Sequence, residues 1–113
     1  MISQKIRETG WLGEARAAAY LRKQGMRILK RRYRAAHGEI DLIARDGAAI
    51  VFVEVKTRPR GPLDSGLCAV NAEKRRHLRS AALDYLRGRE ETGHRFDVIE
   101  ITAAGLRHIK NAF

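Results

Sequence analysis

Apolar positions fall into stretches of helical spacing and stretches of strict alternation, and these predict the elements in turn. Leu12, Ala15, Ala18, Ala19 and Leu21 mark one side of a first helix. It starts near Thr9, or as early as Ser3, and ends at Gln24, where Gly25 supplies a left-handed stop. Met26 to Leu29 and the basic run Lys30-Arg31-Arg32-Tyr33-Arg34 read as a strand with a charged end. Glu39 to Ala44 and Ala49 to Lys56 read as two more strands, with Asp46-Gly47 between them as a hairpin signal. Leu78, Ala81, Ala82, Tyr85 and Leu86 predict a second helix over Ala72 to Leu86, with Asn71 as its N-cap and Gly88 as its stop. Arg95 to Ile101 is a strand by its β-branched content, and Leu106 to Ile109 is another.

Helix, strand, hairpin, helix, strand, strand is the order of an α/β fold: a mixed sheet with a helix on each face, or both helices on one. The second helix joins the strand ending at Lys56 to the one starting at Arg95, so these two strands are expected to be parallel. No repeat, low-complexity tract or linker interrupts the chain, and residues 1–113 are read as a single domain. Pro59, Gly61, Pro62 and Gly66 read as a loop within it, expected to be mobile without ligand.

Charge narrows the function. Lys and Arg number 23 against 13 Asp and Glu, a net charge of +10 over 113 residues. Such an excess points to a polyanionic partner. The 44% hydrophobic content excludes a disordered basic tail. The lone Cys68 excludes a disulfide framework and a paired-cysteine metal site, and it fits a reducing cytoplasm. Met1 to Tyr20 has no apolar leader core, and no run is long enough to span a membrane. His37, His77, His94 and His108 lack metal-ligand spacing and are read as surface or supporting residues, and Trp11 as core.

The hairpin carries the candidate chemistry. Side chains alternate, so Phe52, Glu54 and Lys56 share one face while Val51, Val53 and Val55 share the other, which must be core. On the preceding strand Glu39, Asp41 and Ile43 share a face. A two-residue turn at Asp46-Gly47 sets Asp41 opposite Phe52, whereas a four-residue turn sets it directly opposite Glu54. In either register Asp41 and Glu54 lie on one face, with Cβ atoms about 5 to 8 Å apart. A three-residue loop without a bulge would separate them. Carboxylates held that close repel, and a hard divalent cation such as Mg²⁺ or Mn²⁺ resolves the conflict. Lys56 adds a phosphate-binding cation beside them. The plainer reading is a set of salt-bridged residues on a solvated sheet face, but Ile43, Ile50 and Phe52 make that face apolar.

Gly38-Glu39-Ile40-Asp41 with Glu54-Val55-Lys56 resembles the active-site signature of the PD-(D/E)XK nuclease superfamily. The whole chain is similar to the YraN-like family of small bacterial proteins, through Gly10-Trp11-Leu12-Gly13-Glu14, Gly38 to Ala44, Val51 to Arg58, Lys74 and Arg95-Phe96-Asp97-Val98. The resemblance implies a restriction-endonuclease-like core with Asp41, Glu54 and Lys56 as signature residues. It implies Glu14 as an additional acid from the first helix, and Lys74 as the polar residue on the helix after the lysine strand. Ile40 replaces the signature proline, and Arg32 stands where the family has Asn. The superfamily includes archaeal Holliday junction resolvases, and that analogy implies a homodimer.

The expected function is therefore binding of nucleic acid, DNA above all, with Mg²⁺- or Mn²⁺-dependent hydrolysis of its phosphodiester bonds, branched DNA included. Asp41 and Glu54 hold the metal, Lys56 stabilises the phosphate, and Glu14 assists. Lys74, Arg58, Arg31, Arg32, Arg34 and Arg75 are the expected nucleic-acid contacts, and Tyr33 is read as a sheet or edge aromatic. The alternative is a non-catalytic nucleic-acid-binding module that retains the nuclease fold. A weaker third reading is a basic scaffold that meets a protein partner at the sheet edge.

Overall fold

The computed structural model describes residues 2–58, 70–90 and 93–113, with the side chains of residues 2–11 outside that description. The order of elements is α1 (Ile2–Lys23), β1 (Arg27–Ala35), β2 (Gly38–Asp46), β3 (Ala49–Arg58), α2 (Ala72–Leu86), β4 (His94–Thr102) and β5 (Gly105–Ile109). Trp11's side chain, the Pro59 to Gly66 loop and Cys68 lie outside the described residues.

Local chemistry sets the helix ends. Gly25, at φ +90°, closes α1, with the Met26 N–H donating to the Leu21 carbonyl at 3.0 Å and the Gly25 N–H to the Arg22 carbonyl at 3.0 Å. This double bond pattern satisfies carbonyls that the helix leaves open. At α2 the Asn71 side chain accepts from the Lys74 N–H at 2.8 Å, a cap that contributes about 1 kcal/mol.

The five strands form one sheet in the order β1-β2-β3-β4-β5. Only β3 and β4 are parallel, and α2 makes the crossover between them. One helix covers each face. Ala17, Ala18 and Leu21 of α1 pack with Leu42, Ala44, Val51, Val53, Ile99 and Ile101. Leu78, Ala81, Ala82 and Tyr85 of α2 pack with Ile40, Ile43, Ile50, Phe52, Phe96 and Val98. The architecture is an α/β mixed sheet flanked by two helices, compatible with a restriction-endonuclease-like core. Full burial of a side chain such as Leu21 or Phe52 contributes about 1.5 to 3 kcal/mol. The valine face is core as expected, and the Phe52 face is equally covered, so β3 is buried on both sides in its central part.

Two local readings are corrected and a third is decided. The hairpin loop is Gly47-Ala48, because Asp46 pairs with Ala49 and Gly47 takes φ +60° at the first loop position. Alternation breaks in β2: Ile40 and Ile43 both face α2, while Leu42 and Ala44 face α1. Glu39 accordingly leaves the face it was expected to share with Ile43 and is exposed, 3.8 Å from Arg34. For His108 the supporting alternative holds over the surface one, since its side chain is buried. Its Nε2–H donates to Asp97 Oδ2 at 2.7 Å, and the Tyr20 hydroxyl lies 3.2 Å from its Nδ1.

Asp97 has no exposed surface and also accepts from Arg95 Nε at 3.0 Å and the Asn111 N–H at 3.1 Å. Burial alone would push its carboxyl up, but the bonds from His108, Arg95 and Asn111 outweigh burial and hold it below the usual carboxylate range. Among the described residues no helix is long and apolar enough to cross a membrane.

Candidate active site

The paired rungs of β2 and β3 end at Leu42 and Val53, so the next residues, Asp41 and Glu54, face each other just beyond the ladder. This is the register of the longer-turn alternative. In place of a further rung, the Val55 N–H donates to Asp41 Oδ2 at 2.8 Å. The bond ties the first acid to the strand that carries the second.

Glu54 is 5% exposed, on the α2 side of the sheet. Its Oε1 is shared by two lysines, Lys56 Nζ at 3.4 Å and Lys74 Nζ at 3.3 Å. Its Oε2 is buried and has no hydrogen-bond partner among the described residues. Burial first, and then the Glu54 charge, lift the Asp41 carboxyl from 3.8 to about 7, with Glu14 adding to the rise. The Val55 N–H and Lys74 oppose it. Burial and the neighbouring carboxylate thus both disfavour a charged Asp41.

Both helices are brought in by glycines. A Cβ at Gly13 would sit 2.1 Å from Thr57 Oγ1, so α1 lies directly on the end of β3 and delivers Glu14 to the site. A Cβ at Gly38 would sit 2.5 Å from the His77 carbonyl oxygen, so α2 lies directly on the start of β2 and delivers Lys74. Glu14 does not stand open. Arg32 Nε donates to its Oε2 at 2.7 Å. By the β1–β2 register Arg32 faces Asp41, and it takes φ +51° within a strand. For a non-glycine residue that conformation costs about 1 to 3 kcal/mol, and such outliers gather at functional sites.

The expected site residues therefore divide. Asp41, Glu54 and Lys56 come together, and Glu14 joins them with Arg32 attached. Lys74, read as a nucleic-acid contact, pairs with Glu54. Arg32 is likewise engaged by an acid. Arg75 Nε donates to the Val70 carbonyl at 3.0 Å, and its guanidinium lies 5.3 Å from the Phe113 ring centre, so it holds the chain as well as carrying charge. Arg31 and Arg34 are exposed on β1, at the sheet edge, and Arg58 is half-buried at the end of β3. Tyr33 packs at the edge of the α2-side core, its ring against Tyr85 and its hydroxyl donating to Asp84.

Glu100 was not anticipated from the sequence. It stands beside Lys56 in the parallel ladder with no exposed surface. The alternation Phe96, Val98, Glu100 is the signal that puts it on the α2 face, but only the β3–β4 register sets it next to Lys56.

Among the described residues no group of three or more His, Cys, Asp or Glu side chains forms a ready metal cluster. The donor set is two carboxylates, which is what Mg²⁺ ordinarily takes, with water and phosphate oxygens completing its shell. The unsatisfied Glu54 oxygen and the raised Asp41 both fit a hard cation between them.

Residues 13–101 match the family model described as Uncharacterised protein family UPF0102. A UPF0102 protein of Geobacter metallireducens is 44% identical over 110 residues, covering 92% of this chain and 90% of its own. One from Chlorobium chlorochromatii is 44% identical over 117 residues, covering 94% and 91%. Another, from Moorella thermoacetica, is 43% identical over 115 residues, covering 95% and 96%. On the family match and these near full-length likenesses, the chain belongs to UPF0102, the YraN family.

Proposed function

We propose that this protein is a metal-dependent endonuclease that hydrolyses phosphodiester bonds in DNA, branched DNA included, in the cytoplasm. The observation that carries the reading is the Asp41–Glu54 pair at the end of the β2–β3 ladder, with one buried Glu54 oxygen unsatisfied and two lysines on the other. Asp41 and Glu54 would hold Mg²⁺ or Mn²⁺, which when bound acidifies water and offsets charge on the scissile phosphate. The Val55 N–H orients the Asp41 carboxylate. Lys56, 3.4 Å from Glu54, supports charge developing on the phosphate. Lys74 neutralises Glu54 and offers a second cation for a backbone phosphate. The net charge of +10 supplies long-range attraction to a polyanion.

Labelled duplex, flap and four-way junction DNA, incubated with wild type and Asp41→Ala in Mn²⁺ or EDTA, tests this. Cleavage by wild type that needs metal and is lost in the variant supports the reading. Equal cleavage by both proteins, or none on any substrate, ends it.

A specific observation favours a second reading. Glu54 already carries two lysines and Glu14 carries Arg32, so much of the acidity is balanced within the chain. A module that binds nucleic acid without cutting would show salt-sensitive affinity, indifferent to Mn²⁺, and no cleavage.

A further inference from the structure

We propose that Arg32 is an internal counter-ion that occupies Glu14 until a phosphate of the nucleic-acid substrate takes over its guanidinium, so that Glu14 joins Asp41 and Glu54 only when substrate is present. The inference rests on the metal-dependent reading above and concerns how that site is regulated.

Four observations lead to it. Arg32 has a left-handed backbone in an otherwise extended strand, at the position facing Asp41, and its side chain meets Glu14 of α1 on the side of the sheet away from Tyr33. A residue held in so unfavourable a conformation points to a constraint imposed by the site. Second, the Arg32–Glu14 bond is a charge-assisted contact of 2.7 Å, which holds the carboxylate in one place. Third, the Arg32 side chain keeps 31% of its surface exposed whereas Glu14 keeps 13%, so an incoming anion reaches the guanidinium before it reaches the acid. Fourth, Asp41 and Glu54 gain no third acidic ligand as the site stands, among the described residues.

Chemically the exchange is even-handed. Guanidinium accepts a phosphate in the same forked geometry as a carboxylate, so Arg32 loses no charge pairing when it leaves Glu14 for a phosphate. The close contact of Gly13 with Thr57 sets Glu14 at the end of β3 beside the two acids, and a divalent cation would relieve the repulsion among them once Glu14 is released. Metal affinity and substrate binding are thereby coupled through one side chain, and the coupling is reciprocal.

The test is Mn²⁺ binding by calorimetry without nucleic acid, on wild type, Arg32→Gly, Arg32→Gly with Glu14→Gln, and Asp41→Asn. Glycine suits the left-handed backbone, so the strand is kept while the guanidinium is lost. Circular dichroism checks the fold, and Arg32→Gln serves if the glycine variant does not fold. Freed Glu14 should tighten Mn²⁺ binding by about tenfold or more, the scale on which neighbours of metal ligands act. Adding Glu14→Gln should abolish that gain. No gain, or a gain that survives Glu14→Gln, overturns the inference while leaving the metal reading intact, provided that wild type binds Mn²⁺ and Asp41→Asn does not. Absence of Mn²⁺ binding in all four proteins overturns the metal reading and this inference together.

Discussion

Asp41 and Val55 are joined side chain to backbone, carboxylate to N–H at 2.8 Å, where the β2–β3 ladder stops. The contact survives in Asp41→Asn, whose amide oxygen still accepts, but the charge does not. Folding raises the Asp41 pKa from 3.8 to about 7, so between those values the folded chain binds more protons than the unfolded one. The contribution is fully present below the unfolded value and is lost as pH rises through about 7. Urea unfolding should show the stability difference between Asp41→Asn and wild type growing in the variant's favour from pH 4 to pH 8. Mn²⁺ should stabilise wild type at pH 8 and leave the variant unchanged.

Asp97 behaves in the opposite sense. Its folded carboxyl titrates below its ordinary range, so its stabilisation is present above pH 3.8 and lost as pH falls through the lower folded value. Asp97→Asn leaves Arg95 and His108 short of their buried partner, and should cost about 3 to 5 kcal/mol in chemical denaturation at pH 7. The loss relative to wild type should shrink in acid.

Gly38 gives a steric prediction. Its missing Cβ is the space filled by the His77 carbonyl, a backbone atom that cannot swing aside. Gly38→Ala should destabilise by about 1 to 3 kcal/mol. Because α2 carries Lys74, the same variant should weaken the proposed DNA cleavage beyond what its residual folding accounts for, measured at a temperature where it is fully folded.

The exposed arginines of β1 should act through charge alone. Replacing both Arg31 and Arg34 with Ala should lower the slope of log affinity against log salt by about 1.8 if each contacts one phosphate of duplex DNA. Thermal stability should barely change. Arg75→Ala, by contrast, should lower the melting temperature, since it releases both the Val70 carbonyl and the Phe113 ring.

Most of the fold was legible because its periods are clean. Asn71 and Gly25 mark helix ends by local bonding alone, and the valines of β3 declare a buried face. The acid pair was legible for a related reason: both turn registers considered leave Asp41 and Glu54 on one side. The choice between them was not, because the sequence accommodates both a two-residue turn at Asp46-Gly47 and a four-residue turn, whereas the structure pairs Asp46 with Ala49 and Leu42 with Val53. Arg32's acidic partner is Glu14, 18 residues away. His108 is internal because Asp97 and Tyr20 meet it from β4 and α1. Neither relation leaves a trace in spacing or composition.

The lone parallel pairing, β3 with β4, bears on how the molecule comes into being. β2 and β3 are neighbours in the chain and can zip from Gly47 without help, so the two acids meet early. Lys74 arrives only when α2 has carried the chain back over the sheet to begin β4, and Glu14 only when α1 has docked on the opposite face. Such distant closures are the slow events of folding. A half-folded chain would therefore hold the two acids and Lys56 without Lys74 or Glu14, and the full constellation exists only in the finished molecule.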